Sequence, residues 1–404
     1  MSISLPKNRE TYFLILLGIT FISFILSYAI SNIAIFLFIL YFFIDNKKSI
    51  KEKLHQIKNN KIVLLYVLFF VAQLIGVFYS QNIDIAKRKV LIMLPIFFLP
   101  AIISVEKLSK NNWNKLLNFL KYAILSIFVY YLFIHLVIEK RTLNTFVHFT
   151  LNERLHISQF YLVFILLIPI LESLRQINSR NNLLINIILL LVSIMMLVLL
   201  GNKTALLFLI LITIGLLIKK GIKERKKVIL IVGLSLIIGS IAYQLPIVKN
   251  RISVLLKTTS FDMKKIITKN RFTITKNTLE HRILIDYLSL KEIKKALPFG
   301  VGTGDFQEKL DKQYKLVKFR FGMQGDVNNH NQYLEEFLKT GILGGFLFLI
   351  LVFMLLKQGF HIRGFGLVFA LFFAIASMVE SYLNRQHGVV VFSFMIPFFL
   401  KKRH

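Results

Sequence analysis

The chain has 404 residues, 56% of them hydrophobic, and carries 51 lysines and arginines against 20 acids, a net charge of +31. A soluble domain of that length cannot keep so much apolar surface from water, which excludes an ordinary globular enzyme. In a soluble protein such a charge would suggest nucleic acid; here the basic residues lie between uncharged apolar runs, so membrane topology explains them first and no nucleic-acid partner is expected.

The runs read as membrane helices from the start of the chain. Thr11 to Ile44 holds 34 residues without a charge, roughly 50 Å as helix and too long for one crossing. It is expected to form two helices meeting near Ser27–Asn32. Lys7 and Arg9 resemble a charged leader, but no small-residue cleavage site follows, so the first helix is expected to stay. The candidate spans are 11–28, 30–44, 62–79, 89–105, 116–138, 157–171, 183–200, 204–218, 228–244, 334–356, 363–380 and 388–400. The fold class is therefore all-α, a polytopic membrane bundle of about twelve helices. Residues 1–244 hold helices one to nine, 245–333 one large loop, and 334–404 the last three.

Basic loops fix the expected orientation. Lys47–Lys61, Lys107–Lys115, Arg175 and Arg180, Lys219–Lys227, Lys357 with Arg363, and Lys401–Arg403 fall on one side if both termini are cytoplasmic. Lys87, Arg88 and Lys89 dissent. The 245–333 loop then lies outside, with 17 basic and 8 acidic residues. Its charge reads either as a surface for an anionic ligand or anionic lipid, or as the plain consequence of a lysine-rich composition. Leu279, Ile283, Tyr287, Leu290 and Ile293 recur at helical spacing within it, as do Phe306, Leu310, Tyr314 and Val317. Both stretches are expected to be amphipathic helices lying at the membrane interface. Gly300–Asp305, glycine-rich but without the Lys-Ser/Thr of a phosphate loop, is expected to be a structural turn.

On this topology the polar groups of the outer side are few. Six of the nine histidines gather there: His135, His148, His156, His281, His330 and His387. His330 sits where the tenth helix emerges, either as a base for an incoming hydroxyl or as an interfacial helix cap. Gly341 and Gly345, four apart, would let another helix approach closely. Lys203 lies between two uncharged spans and either snorkels to the interface or faces an anion. Glu380 and Arg385 flank the last outer turn and could simply pair. No Asp-x-Asp and no paired-histidine ligand set occurs, so neither metal nor other cofactor is expected. The lack of cysteine removes disulfides and thiol nucleophiles.

His330-Asn331, nine residues, then Gly341-x-x-Gly344 form a recognisable pattern. Upstream stand His281-Arg282-Ile283-Leu284-Ile285 and Pro298-Phe-Gly-Val-Gly-Thr-Gly-Asp305; downstream stands Glu380-Ser-Tyr-Leu-Asn-Arg385-Gln. Together they resemble the O-antigen ligase and O-antigen polymerase superfamily of bacterial envelope glycan enzymes, closely over the C-terminal third. The resemblance implies an inverting glycosyltransferase at the periplasmic face of the bacterial inner membrane. Its donor would be a glycan on undecaprenyl pyrophosphate, its acceptor a sugar hydroxyl of lipid A–core or another glycan, and membrane lipids its surroundings. His330 and Arg282 would be catalytic. Lys203, Arg154, His156, Asn331 and Arg385 would contact pyrophosphate or acceptor. Lys203 falls in Gly-Asn-Lys-Thr-Ala-Leu, where the family usually shows Ser-Arg-x-Ala; lysine keeps the charge and loses the bidentate fork.

A polymerase joining lipid-linked repeats is the alternative, with a protein O-oligosaccharyltransferase behind it. A lipid-linked glycan transporter fits less well, since charges avoid the span centres and no duplicated half is evident. A peptidoglycan polymerase relies on a loop aspartate rather than this histidine motif.

Overall fold

The computed structural model describes residues 9–43, 50–220, 233, 253–254, 256–325 and 327–401. Of the ninth expected span, 228–244, only residue 233 is among them. Helix occupies each of the other eleven expected segments, and no strand occurs among the described residues. Inside a bilayer every backbone N–H and C=O must pair within the chain, which leaves helix as the form open to these uncharged runs.

The helices are α1 (Arg9–Leu26), α2 (Tyr28–Phe43), α3 (Ile50–Lys58), α4 (Lys61–Phe78), α5 (Ile83–Val105), α6 (Lys110–Phe133), α7 (Gln159–Asn178), α8 (Leu183–Leu199) and α9 (Lys203–Lys220). The long loop holds α10 (Met263–Phe272), α11 (Thr278–Ala296), α12 (Phe306–Leu316) and α13 (Arg320–Met323), and the chain ends with α14 (Gln332–Ile362), α15 (Gly364–Ala376) and α16 (Gln386–Phe399). Among the described residues five, α4 to α7 and α14, are long and apolar enough to cross a membrane; α1, α2, α8, α15 and α16 are shorter apolar helices. The first uncharged run divides at Ser27, as its length required.

Phenylalanine packs the bundle. Trp113 of α6 stacks on Phe398 at 4.6 Å, Phe369 of α15 on Phe399 at 4.1 Å, and Phe21 of α1 lies 5.0 Å from Phe394. Offset and edge-to-face pairs of this kind add to the gain from burial alone.

The loop helices form a second core of Ile266, Leu284, Ile285, Leu288, Phe306, Leu310, Tyr314, Phe319 and Leu338. Both stretches expected to be amphipathic are helical, and their apolar residues are divided between this core and the surface. α12 does use Phe306, Leu310 and Tyr314, but buries them in protein. α11 divides its stripe: Leu279, Tyr287 and Leu290 are exposed, Ile293 is buried and Ile283 packs against the core, while Glu280, His281, Leu284, Ile285, Leu288 and Ser289 face inward. The inner face is partly polar because it meets the polar start of α14, which periodicity alone does not register.

α14 is broken. Thr340 and Gly341 leave helical geometry, Gly341 at φ 62° and ψ −144°, a region open in practice to glycine. A break frees backbone groups that a membrane helix must satisfy elsewhere. The Gly300–Asp305 turn supplies the partners. Val301 N–H donates to Leu338 O at 2.8 Å, Gly302 N–H to Lys339 O at 2.9 Å, and Pro298 O accepts from Ile342 N–H at 2.9 Å. The turn is structural, as expected, and it is also a plug.

At Gly341 and Gly345 of α14 the nearest obstacle to a side chain is not a neighbouring helix. A Cβ on Gly341 would strike Pro298 O, and one on Gly345 would meet the Phe337 ring of the same helix. The plug is seated on α4 and α5 as well. Thr303 N–H donates to Gly76 O at 3.2 Å, and the Asp305 carboxylate accepts from Gln81 N–H at 2.6 Å and Asn82 N–H at 2.8 Å.

Candidate functional site: a histidine and carboxylate cluster beside a cationic cleft

His330 stands one residue before the cap of α14. Its backbone holds φ 50°, an unusual value for a non-glycine residue. Two asparagines secure it. Asn328 Oδ1 accepts from His330 N–H at 3.1 Å, and Asn331 Oδ1 caps the helix by accepting from Leu334 N–H at 3.2 Å. The imidazole is partly exposed, and its Nδ1 lies 3.3 Å from Glu380 Oε2 of the turn after α15. The expected Glu380–Arg385 pair is not among the described ion pairs; Glu380 faces His330 instead. Asn331 Nδ2 donates to Asp286 Oδ1 of α11 at 3.4 Å, so α11, α14 and the late turn converge on one group of side chains.

Arg282 lies one turn before Asp286 on α11 and shares its face. Burial pulls the guanidinium below its ordinary range, and the Glu380 and Asp286 carboxylates push it back. Burial raises Asp286 to about 6, opposed by the Asn331 hydrogen bond and by Arg282 and His330. On its other side Arg282 lines a cleft of about 470 Å³ with Lys203, Lys276, Thr204, Thr278 and Gln159. Among the described residues three cations and no acid line that cleft, an arrangement suited to an anion. Asn202 caps α9 there through Oδ1, accepting from Ala205 N–H at 3.1 Å, and its buried Nδ2 has no partner among the described residues.

Of the residues read from sequence, the structure brings together His330, Asn331, Arg282 and Lys203. Arg154 is elsewhere. It pairs with Glu139 at 3.1 Å, beside Arg141 at 3.3 Å from the same carboxylate, in the hairpin between α6 and α7. His156 is exposed at the end of that hairpin. Arg385 directly precedes α16, at the far end of the turn that carries Glu380.

His281 packs rather than reacts: it stacks on Phe321 at 4.6 Å, bonds to Thr275 Oγ1 through Nε2 at 3.0 Å, and burial lowers it to about 4. Sequence reasoning missed Asp286, although its four-residue offset from Arg282 was a usable signal. It also missed Lys276, for which no local signal existed. A larger cavity of about 680 Å³, lined by Lys61, Tyr66, Lys107 and Lys401, opens at the other end of α4 and holds none of these residues.

An all-helical chain with several membrane-length helices and a histidine, carboxylate and cation cluster at one end of the bundle is a membrane protein equipped for acid–base and anion chemistry. Residues 188–349 match the family model described as O-antigen ligase, which shows the resemblance to the O-antigen ligase superfamily. The match runs from α8 into α14 and includes Lys203, Arg282, Asp286, His330 and Asn331; Glu380 and Arg385 lie beyond it. No curated protein matches the chain.

Proposed function

We propose that the protein is an O-antigen ligase-like glycosyltransferase of the bacterial inner membrane, working at its periplasmic face. It moves a glycan from undecaprenyl pyrophosphate to a sugar hydroxyl of lipid A–core. The observation that carries this reading is the position of Arg282, shared between the His330–Glu380–Asp286 group and the cationic cleft. Donor and acceptor chemistry need those two environments side by side.

In the reaction the acceptor oxygen attacks the anomeric carbon as the bond to pyrophosphate breaks. With Nδ1–H of His330 donating to Glu380, the Nε2 lone pair takes the acceptor proton. Undecaprenyl pyrophosphate leaves with the bonding electrons, and its growing charge is held by Arg282 and Lys203. Attack opposite the leaving group inverts the anomeric centre. Asn331, tied to Asp286, orients the acceptor beside His330.

The test is transfer in membranes supplied with lipid-linked glycan and lipid A–core. His330→Ala and Arg282→Ala are each expected to lower the rate by about 100-fold or more. Either variant at the wild-type rate would sink the assignment. The same products read the acceptor. Long lipid-linked chains that fail to reach the core after deletion mark a ligase, whereas single repeats on the core without a ladder would mark a polymerase.

A further inference from the structure

Lys87, Arg88 and Lys89 broke the charge pattern that oriented the chain, and topology offered no reason for them. Lys89 has one in the structure. Its Nζ donates to Asn384 Oδ1 at 3.2 Å and lies 5.4 Å from the centre of the Phe306 ring. Lys339, buried just before the break in α14, donates to the same oxygen at 3.4 Å and lies 4.5 Å from the same ring. Lys339 also pairs with buried Glu335, and Asn384 Nδ2 donates to Glu335 Oε2 at 2.6 Å. Helix α5, helix α14, the first residue of α12 and the turn after α15 thus meet at one point.

That turn is fastened a second time. Gln332 N–H donates to Ser377 O at 2.8 Å, and Gln332 Oε1 accepts from Leu383 N–H at 2.7 Å. Glu380 lies between the two fastenings, facing His330. Buried ionic groups in a membrane helix are costly to maintain, so a set this complete calls for a task.

The geometry points to Lys89 and Asn384 as positioning residues. They latch the 377–385 turn to α14 and so keep Glu380 within hydrogen-bonding distance of His330. This inference rests on the reading of His330 and Glu380 as the pair that activates the acceptor. A latch differs from general support of the fold because its effect must pass through Glu380.

The experiment is a double-mutant cycle on the full chain in lipid nanodiscs, with lipid-linked glycan as donor and lipid A–core as acceptor. Asn384→Ala and Lys89→Met are each expected to lower kcat about tenfold with donor KM changed less than about twofold. Lys89→Arg, which keeps the donor, should recover most of the rate. In a Glu380→Ala background either substitution should cost less than about a further twofold, because the path it acts through is already gone. Undiminished losses in that background, or wild-type rates for both single variants, would overturn the latch. Glu380→Ala at full rate would instead sink the acceptor-side reading itself. If Asn384→Ala does not assemble, Lys89→Met carries the same comparison from a half-buried position on the flank of α5.

Discussion

Arg282 and His281 are neighbours in sequence with opposite fates. Arg282 keeps its charge and faces both the carboxylates and the cleft. His281 turns into the loop core against Phe319 and Phe321 and is held neutral, lowered to about 4 by burial. A histidine near 6.5 in the unfolded chain and near 4 in the fold favours folding when neutral. That contribution is present above about pH 6.5 and is lost as pH falls towards 4. The wild type should therefore lose thermal stability between those values relative to His281→Phe, as followed by unfolding midpoints against pH. Parallel curves would mean the ring is not buried. Sequence alone set both residues in one motif run, His281-Arg282-Ile283-Leu284-Ile285, and could not separate them, since a residue's side of a helix depends on what packs there.

At the scale of elements, the break in α14 organises the site end of the bundle. A straight helix would leave no place for the Gly300–Asp305 turn, and without that turn the freed carbonyls of Leu338 and Lys339 would be bare in a membrane. Gly341 is the least replaceable residue of the plug, because both its φ/ψ and its clearance from Pro298 O need the missing Cβ. Gly341→Ala should destabilise the protein by about 3 kcal/mol, read as a lower unfolding midpoint in detergent. An unchanged midpoint would mean the break is not maintained. The glycine spacing was visible in sequence, but its meaning was not: four-residue glycine spacing suits helix packing equally well, and only the distant Pro298–Val301 segment distinguishes the two.

At the scale of the molecule, the loop core and the helix bundle are joined where Asp305 accepts the backbone N–H groups of Gln81 and Asn82 at the start of α5. A carboxylate suits the positive end of a helix and there satisfies donors that the helix leaves free. Asp305→Ala should loosen the loop without unfolding the bundle, seen as faster amide exchange across α11 and α12 with exchange in α7 unchanged. Uniform protection in both would show that the seat rests on other contacts.

Uncharged runs determined by themselves that the chain is helical and built for a membrane, because lipid offers backbone groups no other partner. The motif around His330 and Arg282 pointed to a candidate site through its resemblance to a family pattern, which is legible in sequence because it is a set of fixed offsets within each segment. What the tertiary structure decided is which side chains meet. Glu380 stands 50 residues from His330, Lys203 is brought to Arg282 from another helix, and Lys89 acquires its partner nearly 300 residues away. Arg154 is drawn off by Glu139 in its own hairpin. Long-range pairing depends on the packing of apolar faces, and no spacing rule within one segment carries that information.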